Sequence, residues 1–186
     1  GPVLDDGYED DSRGTEKLHN PNGGLRGGKY SLFDAGTRVP FFVYWKGHIQ
    51  HVESNVLISQ LDIFSSFANM LDIDIPKGVD SQNLLSTFMG KKQKGREDMV
   101  VEASGRLAYR YKNYALIPPY TGQKTNETGN ELGVVDNFSL YDLATDPAQQ
   151  KDLSKEMPRL LNKLKKKFLA KVGRYYRAEQ KQETLK

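Results

Sequence analysis

Residues 20–46 read NPNGGLRGGKYSLFDAGTRVPFFVYWK, and the two halves of this stretch carry different information. The second half, residues 38–46, is a continuous apolar run closed at either side by Gly36 and Gly47. Such a run predicts a strand buried on both faces, as in a parallel sheet. Downstream, Leu57, Leu61, Phe64, Ala68 and Leu71 recur at helical spacing, which predicts a helix over residues 54–71 capped by Ser54 or Asn55. A buried strand followed by an amphipathic helix implies an α/β layer.

The first half carries chemistry. Glycines at 23, 24, 27 and 28 allow close backbone approach to a ligand and supply the positive φ that an anion-binding nest needs. Lys29 follows directly, a compact charge on a flexible stem that suits a phosphate or sulfate oxygen. The ligand type suggested is a tetrahedral oxyanion. Gly23-x-x-x-x-Gly28-Lys29 also matches most of a nucleotide P-loop, but Tyr30 stands where that loop needs Ser or Thr, and no apolar strand precedes it. A glycine-rich turn with a solvated lysine is the plain alternative. Residues 1–28 hold seven glycines and no apolar periodicity, so they read as a long loop.

Beyond Pro76, residues 81–89 predict a short helix and residues 90–95 a charged linker, which divides the chain into 1–95 and 96–186. Residues 99–103, 108–110, 114–118 and 138–143 are short β-prone runs, with Lys112-Asn113 as a hairpin turn. A final helix starts near Ser154 or Met157, with Pro158 in its first turn and Leu161, Leu164, Phe168, Val172 and Tyr175 on its apolar side. Tyr109, Tyr111, Tyr114 and Tyr120 suit either cross-strand packing or a sugar-stacking cleft.

The composition, 37% hydrophobic and 27% charged, is that of a globular chain. No apolar run approaches the roughly 20 residues that cross a bilayer. The net charge of +3 is too small to suggest nucleic acid, and the lysines around 163–171 read as the solvated side of a helix. Without cysteine there is no disulfide, thiolate metal site or cysteine nucleophile. Residues 1–11 are polar and show no signal-peptide pattern, so the sequence opens as if within a longer one.

Leu25-Arg26-Gly27-Gly28-Lys29, followed by Leu32-Phe33-Asp34-Ala35-Gly36-Thr37-Arg38-Val39-Pro40, resembles a block of the type I sulfatases, the formylglycine-dependent, arylsulfatase-like enzymes of the alkaline-phosphatase-like superfamily. Gln60-Leu61-Asp62-Ile63, Asp80-Ser81-Gln82-Asn83-Leu84-Leu85, Ile117-Pro118-Pro119-Tyr120, Gly129-Asn130-Glu131-Leu132-Gly133 and Leu140-Tyr141-Asp142-Leu143 with Asp146-Pro147 line up in the same order. The resemblance implies that residues 1–95 are the C-terminal part of an α/β sandwich and residues 96–186 a small α+β subdomain, an antiparallel sheet with a C-terminal helix.

It also implies roles. Lys29 corresponds to the lysine that contacts the sulfate and stabilises charge on the leaving oxygen. His19 stands where many relatives have a histidine and is either a substrate-side donor or acid, or a surface residue. Arg26 is either substrate-binding or architectural, and Asp5 and Asp6 are loop caps or substrate-side groups. Arg38 is expected to be a buried architectural clamp. Gly1-Pro2-Val3 would follow a Ser-Asp-Asn triplet that binds calcium, and the formylglycine motif would lie far upstream, so no metal ligand is expected in this chain. The parent would hydrolyse a sulfated small molecule or glycan, would act on neither nucleic acid nor membrane, and would be periplasmic or secreted. The chain alone, without its upstream segment, is expected to be inactive. The rivals are a phosphodiesterase or phosphonate hydrolase of the same superfamily and a non-catalytic carbohydrate-binding module.

Overall fold

The computed structural model describes Pro2, residues 20–127 and residues 129–177. Its contacts divide the chain into two compact units, Gly1–Val39 together with Val100–Lys186, and Pro40–Met99. Residues 20–39 thus group with the second half of the chain rather than with the segment that follows them.

The first unit is organised by a four-stranded sheet in sequence order, β1 (Asp98–Ala103), β2 (Arg106–Tyr111), β3 (Tyr114–Ile117) and β4 (Ser139–Asp142). Two-residue turns make these neighbours pair: Ser104-Gly105 joins β1 to β2, and Lys112-Asn113 joins β2 to β3. Ser104, Gly105 and Lys112 take positive φ, the hand that matches strand twist. The pairs Tyr109–Leu116 and Leu116–Leu140 fix the antiparallel register and set those residues on one face.

That face carries the main core. Helix α4 (Pro158–Val172) lays Leu164, Phe168 and Val172 against Tyr109, Tyr111, Leu116 and Leu140. Each buried Leu or Phe side chain contributes about 1.5–3 kcal/mol, which outweighs the low intrinsic hydrophobicity of this lysine-rich helix. Pro158 sits in the first turn, where its missing N–H costs nothing. Asp152 ties the helix lead-in to the sheet by accepting from the Leu140 N–H (3.0 Å) and the Ser154 N–H (2.8 Å). Tyr175 is exposed and Tyr176 takes the core position instead, edge-on to Phe168 at 5.5 Å with its hydroxyl donating to Pro119 O. The ammonium groups of Lys163 and Lys167 lie over the Tyr111 ring, at 5.7 and 4.7 Å, and that of Lys165 lies 4.7 Å over Phe138, so part of the lysine run is held by cation–π contacts with the sheet's aromatic surface. The tyrosines serve packing: Tyr109, Tyr111 and Tyr120 are buried and Tyr114 packs on the cluster.

The opposite face presents Arg110, Ala115 and Tyr141, which are cross-strand partners. Onto it fold residues 31–37, including the single-turn helix α1 (Asp34–Thr37), with Leu32, Phe33 and Ala35 buried.

In the second unit, helix α2 is Asp62–Met70 and α3 is Leu85–Phe88, both shorter than the periodicity predicts. Residues 54–61 are not helical because their polar groups are used otherwise. The Ser59 N–H donates to Asp62 Oδ2 (2.9 Å), which opens the helix at that point, and Leu57 O accepts from the Arg96 N–H (2.7 Å). Asp62 is fully buried. Burial raises its pKa, but hydrogen bonds from the Arg96 guanidinium and the Gln82 and Ser59 N–H groups outweigh that and hold it below the usual range.

The strand expected at residues 38–46 is not one. These residues pair with no strand among those described, and their side chains are exposed, Phe42 at 88% and Tyr44 at 84%. A parallel strand takes its hydrogen bonds from strands distant in sequence, and the described residues supply none beside it. Leu61, Phe64, Phe67 and Leu71 of the following helix are exposed as well.

Candidate functional site

The glycine–lysine loop is held by its own turns, with Asn22 Nδ2 donating to Gly27 O at 2.7 Å and the Ser31 N–H to Gly28 O at 3.0 Å, and by tertiary bonds to distant residues. Arg26 forks onto Glu131, Nε to Oε2 at 2.8 Å and Nη2 to Oε1 at 2.7 Å, and its Nη1 donates to Gln149 O at 2.8 Å. Its guanidinium also lies 3.9 Å above the Phe33 ring. The hydrogen bond to Glu131 raises the arginine pKa against the opposing effect of burial, and the same bond lowers that of Glu131. A bidentate geometry of this kind fixes orientation as well as charge.

A second anchor follows eight residues later. Asp34, 4% exposed, pairs with Arg110 from the sheet and with Arg38 at 3.5 Å, while its N–H donates to Gln149 Oε1 at 2.6 Å. Arg38 is not the buried clamp expected of it: its side chain is 54% exposed and makes a 3.5 Å contact with Asp34 that water screens. Gln149 is fully buried at a φ of 49° and receives both Arg26 and Asp34, which makes it the shared socket of the two anchors.

Two glycines are required here for steric reasons. A Cβ on Gly27, which has φ 80°, would stand 2.4 Å from Ser31 Oγ, and one on Gly36 would stand 1.9 Å from Ser31 O. The loop therefore folds back on itself tightly between its anchors. Lys29 lies at its crest, half-buried, with its N–H donating to Pro2 O (2.8 Å) and its ammonium 5.1 Å from the Tyr30 ring. Tyr30 takes φ 74°, a conformation costly for a non-glycine residue and typical of over-determined sites.

Of the residues singled out in the sequence, Lys29 and Arg26 thus share one anchored loop. Asp5, Asp6 and His19 lie outside the described residues. His48 stacks on Trp45 at 4.2 Å and His51 is exposed. Glu131, Gln149 and Arg110 were not predicted as anchors; they lie 105, 123 and 76 residues from the groups they hold, separations that no local pattern reveals. A cavity of about 640 Å³ borders the loop, lined by Asn22, Arg26, Gly27, Asn130, Glu131 and Gln150 among others. Among the described residues no three of His, Cys, Asp and Glu gather as a metal site. None of the described helices is long and apolar enough to cross a membrane.

Comparison with known proteins gives a consistent result. Residues 28–174 match the family described as N-sulphoglucosamine sulphohydrolase, C-terminal. An N-acetylgalactosamine-6-O-sulfatase of Bacteroides thetaiotaomicron is 37% identical over 168 residues, 88% of this chain and 33% of that protein. Arylsulfatase A of Bos taurus is 25% identical over 159 residues, 75% of this chain and 31% of its own length. A solved structure reported for the metabolism of multiple glycosaminoglycans by Bacteroides thetaiotaomicron superposes with a TM-score of 0.85 at 36% identity, covering 91% of this chain and 36% of its own. The chain spans about a third of the length of the curated relatives it matches.

Proposed function

Because the chain belongs to the sulfatase family, as the C-terminal region of such enzymes, we propose that it supplies the sulfate-holding lysine of a longer enzyme that hydrolyses sulfate esters of a glycan. The observation that carries this reading is the doubly anchored loop, which holds Lys29 between the Arg26–Glu131 fork and the Asp34–Arg110 pair. When the sulfur–oxygen bond of an ester breaks, negative charge gathers on the leaving oxygen. A pre-positioned ammonium group stabilises that charge without having to reorganise at the moment of reaction.

The nucleophile and the calcium ligands would come from polypeptide upstream, in keeping with the share of the relatives that this chain spans. The exposed apolar residues of the second unit, Phe42 and Tyr44 together with Leu61 and Phe64, are the surface which that polypeptide would cover. A sulfated glycan as substrate is supported by the names of the relatives, an N-acetylgalactosamine-6-O-sulfatase among them. A periplasmic or secreted location for the parent rests on the family resemblance.

The test is Lys29→Ala in the full-length parent. Its kcat should fall by about 100- to 1,000-fold, the usual effect of deleting one oxyanion-stabilising group, with the circular dichroism spectrum unchanged. An unaltered rate removes Lys29 from the site.

A further inference from the structure

Arg106 opens β2 with 1% of its surface exposed, and neither its Nε nor its Nη1 has a hydrogen-bond partner. No ion pair among the described residues includes it. A guanidinium cannot shed its charge as a lysine can, so a buried one without a counter-ion is energetically incomplete. Burial pushes its pKa down, with only the nearby Tyr120 acting in the other direction.

Position gives this gap a meaning. Alternation along β2 places Arg106, Ala108 and Arg110 on one face, the face that receives the Lys29 loop through Asp34. Arg110 finds its carboxylate there and Arg106 does not. Neighbouring groups are already committed: the Tyr120 hydroxyl accepts from the Leu107 N–H (2.6 Å) and donates to Leu107 O (2.8 Å). On the Nη2 side stands Gly122, at φ 120°, where a Cβ would come within 3.5 Å of that nitrogen. Gly122 belongs to the exposed stretch 121–124, which carries no side chain at the position nearest Nη2.

We propose that Arg106 binds a second anionic group of the substrate, a carboxylate or sulfate other than the ester being cleaved. Four residues of strand, roughly 13 Å, separate it from Arg110, the arginine that pairs with Asp34 of the loop. The inference rests on the reading of Lys29 as the residue that holds the scissile ester, and it names the glycan as polyanionic.

The experiment uses the full-length parent with two ligands, an aryl sulfate whose only anion is its ester and a sulfated disaccharide that also bears a uronate. Arg106→Gln should reduce kcat/KM for the disaccharide about 10- to 100-fold more than for the aryl sulfate, chiefly through KM, as loss of one charge-assisted pair requires. Calorimetric titration with the disaccharide should weaken by the same factor, a readout that needs no turnover. Arg106→Lys should recover part of the difference. Arg106→Met, similar in shape and uncharged, checks the fold: a Tm at or above that of the unmodified parent with the selective loss retained supports the assignment. Equal losses on both substrates, no loss on either, or a fall in Tm without selectivity would show a purely structural arginine and overturn it. A Lys29→Ala parent that cleaves both substrates normally, while Arg106→Gln still weakens disaccharide binding, would refute the Lys29 reading alone.

Discussion

Replacing Asp34 by alanine isolates what holds the lysine loop to the sheet. The Asp34 side chain is 3% exposed and faces Arg110 at 15%, so removing the carboxylate leaves a cation shut away from water with no counter-ion. Breaking a buried pair from one side in this way costs about 3–5 kcal/mol. The contact with Arg38 adds little, since that side chain is 54% exposed and water replaces the lost partner. Urea unfolding of the 186-residue chain, followed by far-ultraviolet circular dichroism, should show the midpoint falling by roughly 1–3 M. Hydrogen exchange at residues 25–36 should accelerate in parallel. The double replacement Asp34→Leu with Arg110→Met removes both charges and keeps the volume filled, so it should be markedly less harmful than Asp34→Ala. A single variant that costs under about 1 kcal/mol, or a double variant whose cost is the sum of the two singles, would refute the account of a buried, mutually dependent pair.

Three other outcomes follow from the same structure. Burial pushes the Tyr120 hydroxyl up to about 12. The folded state therefore favours the protonated phenol, and its contribution is complete below the ordinary value near pH 10 and lost as pH rises through about 12; Tyr120→Phe should flatten that alkaline loss and cost about 1–3 kcal/mol at neutral pH by leaving Leu107 unpaired, both read from urea melts across pH. Asp62 is held below the usual carboxylate range, so its contribution is present above about pH 4 and disappears on acidification; Asp62→Asn should weaken that acid dependence and destabilise the second unit, measured by fluorescence of Trp45 in acid titrations. Phe42→Asp should make the isolated chain more soluble but lower the yield of folded full-length parent, as read by sedimentation and by activity per folded molecule, because it charges a surface that the upstream polypeptide is proposed to bury. Equal effects on chain and parent would count against that covering.

The second half of the chain was legible because its determinants are local. Two-residue turns, alternating strands and a 3.6-residue apolar repeat are read from neighbouring residues, and β1 to β4 and α4 fall close to where those patterns predict. The apolar run at 38–46 predicts a buried strand and is exposed and unpaired among the described residues, since strand pairing depends on the neighbouring strands and not on the run itself. Residues 54–61 carried a helical pattern and are not helical, because Asp62 and Arg96, 34 residues apart, claim the backbone there.

The sequence by itself determined the residue types proposed to meet an oxyanion: glycines that allow close approach and a lysine placed directly after them. Only the tertiary structure decided what holds that loop in place. Arg26 and Asp34 are fixed by Glu131, Gln149 and Arg110, and the unpaired Arg106 stands on the same sheet face. The physical reason is that a charge's value depends on its burial and its partners, and both are assigned by folding across separations that spacing along the chain does not encode.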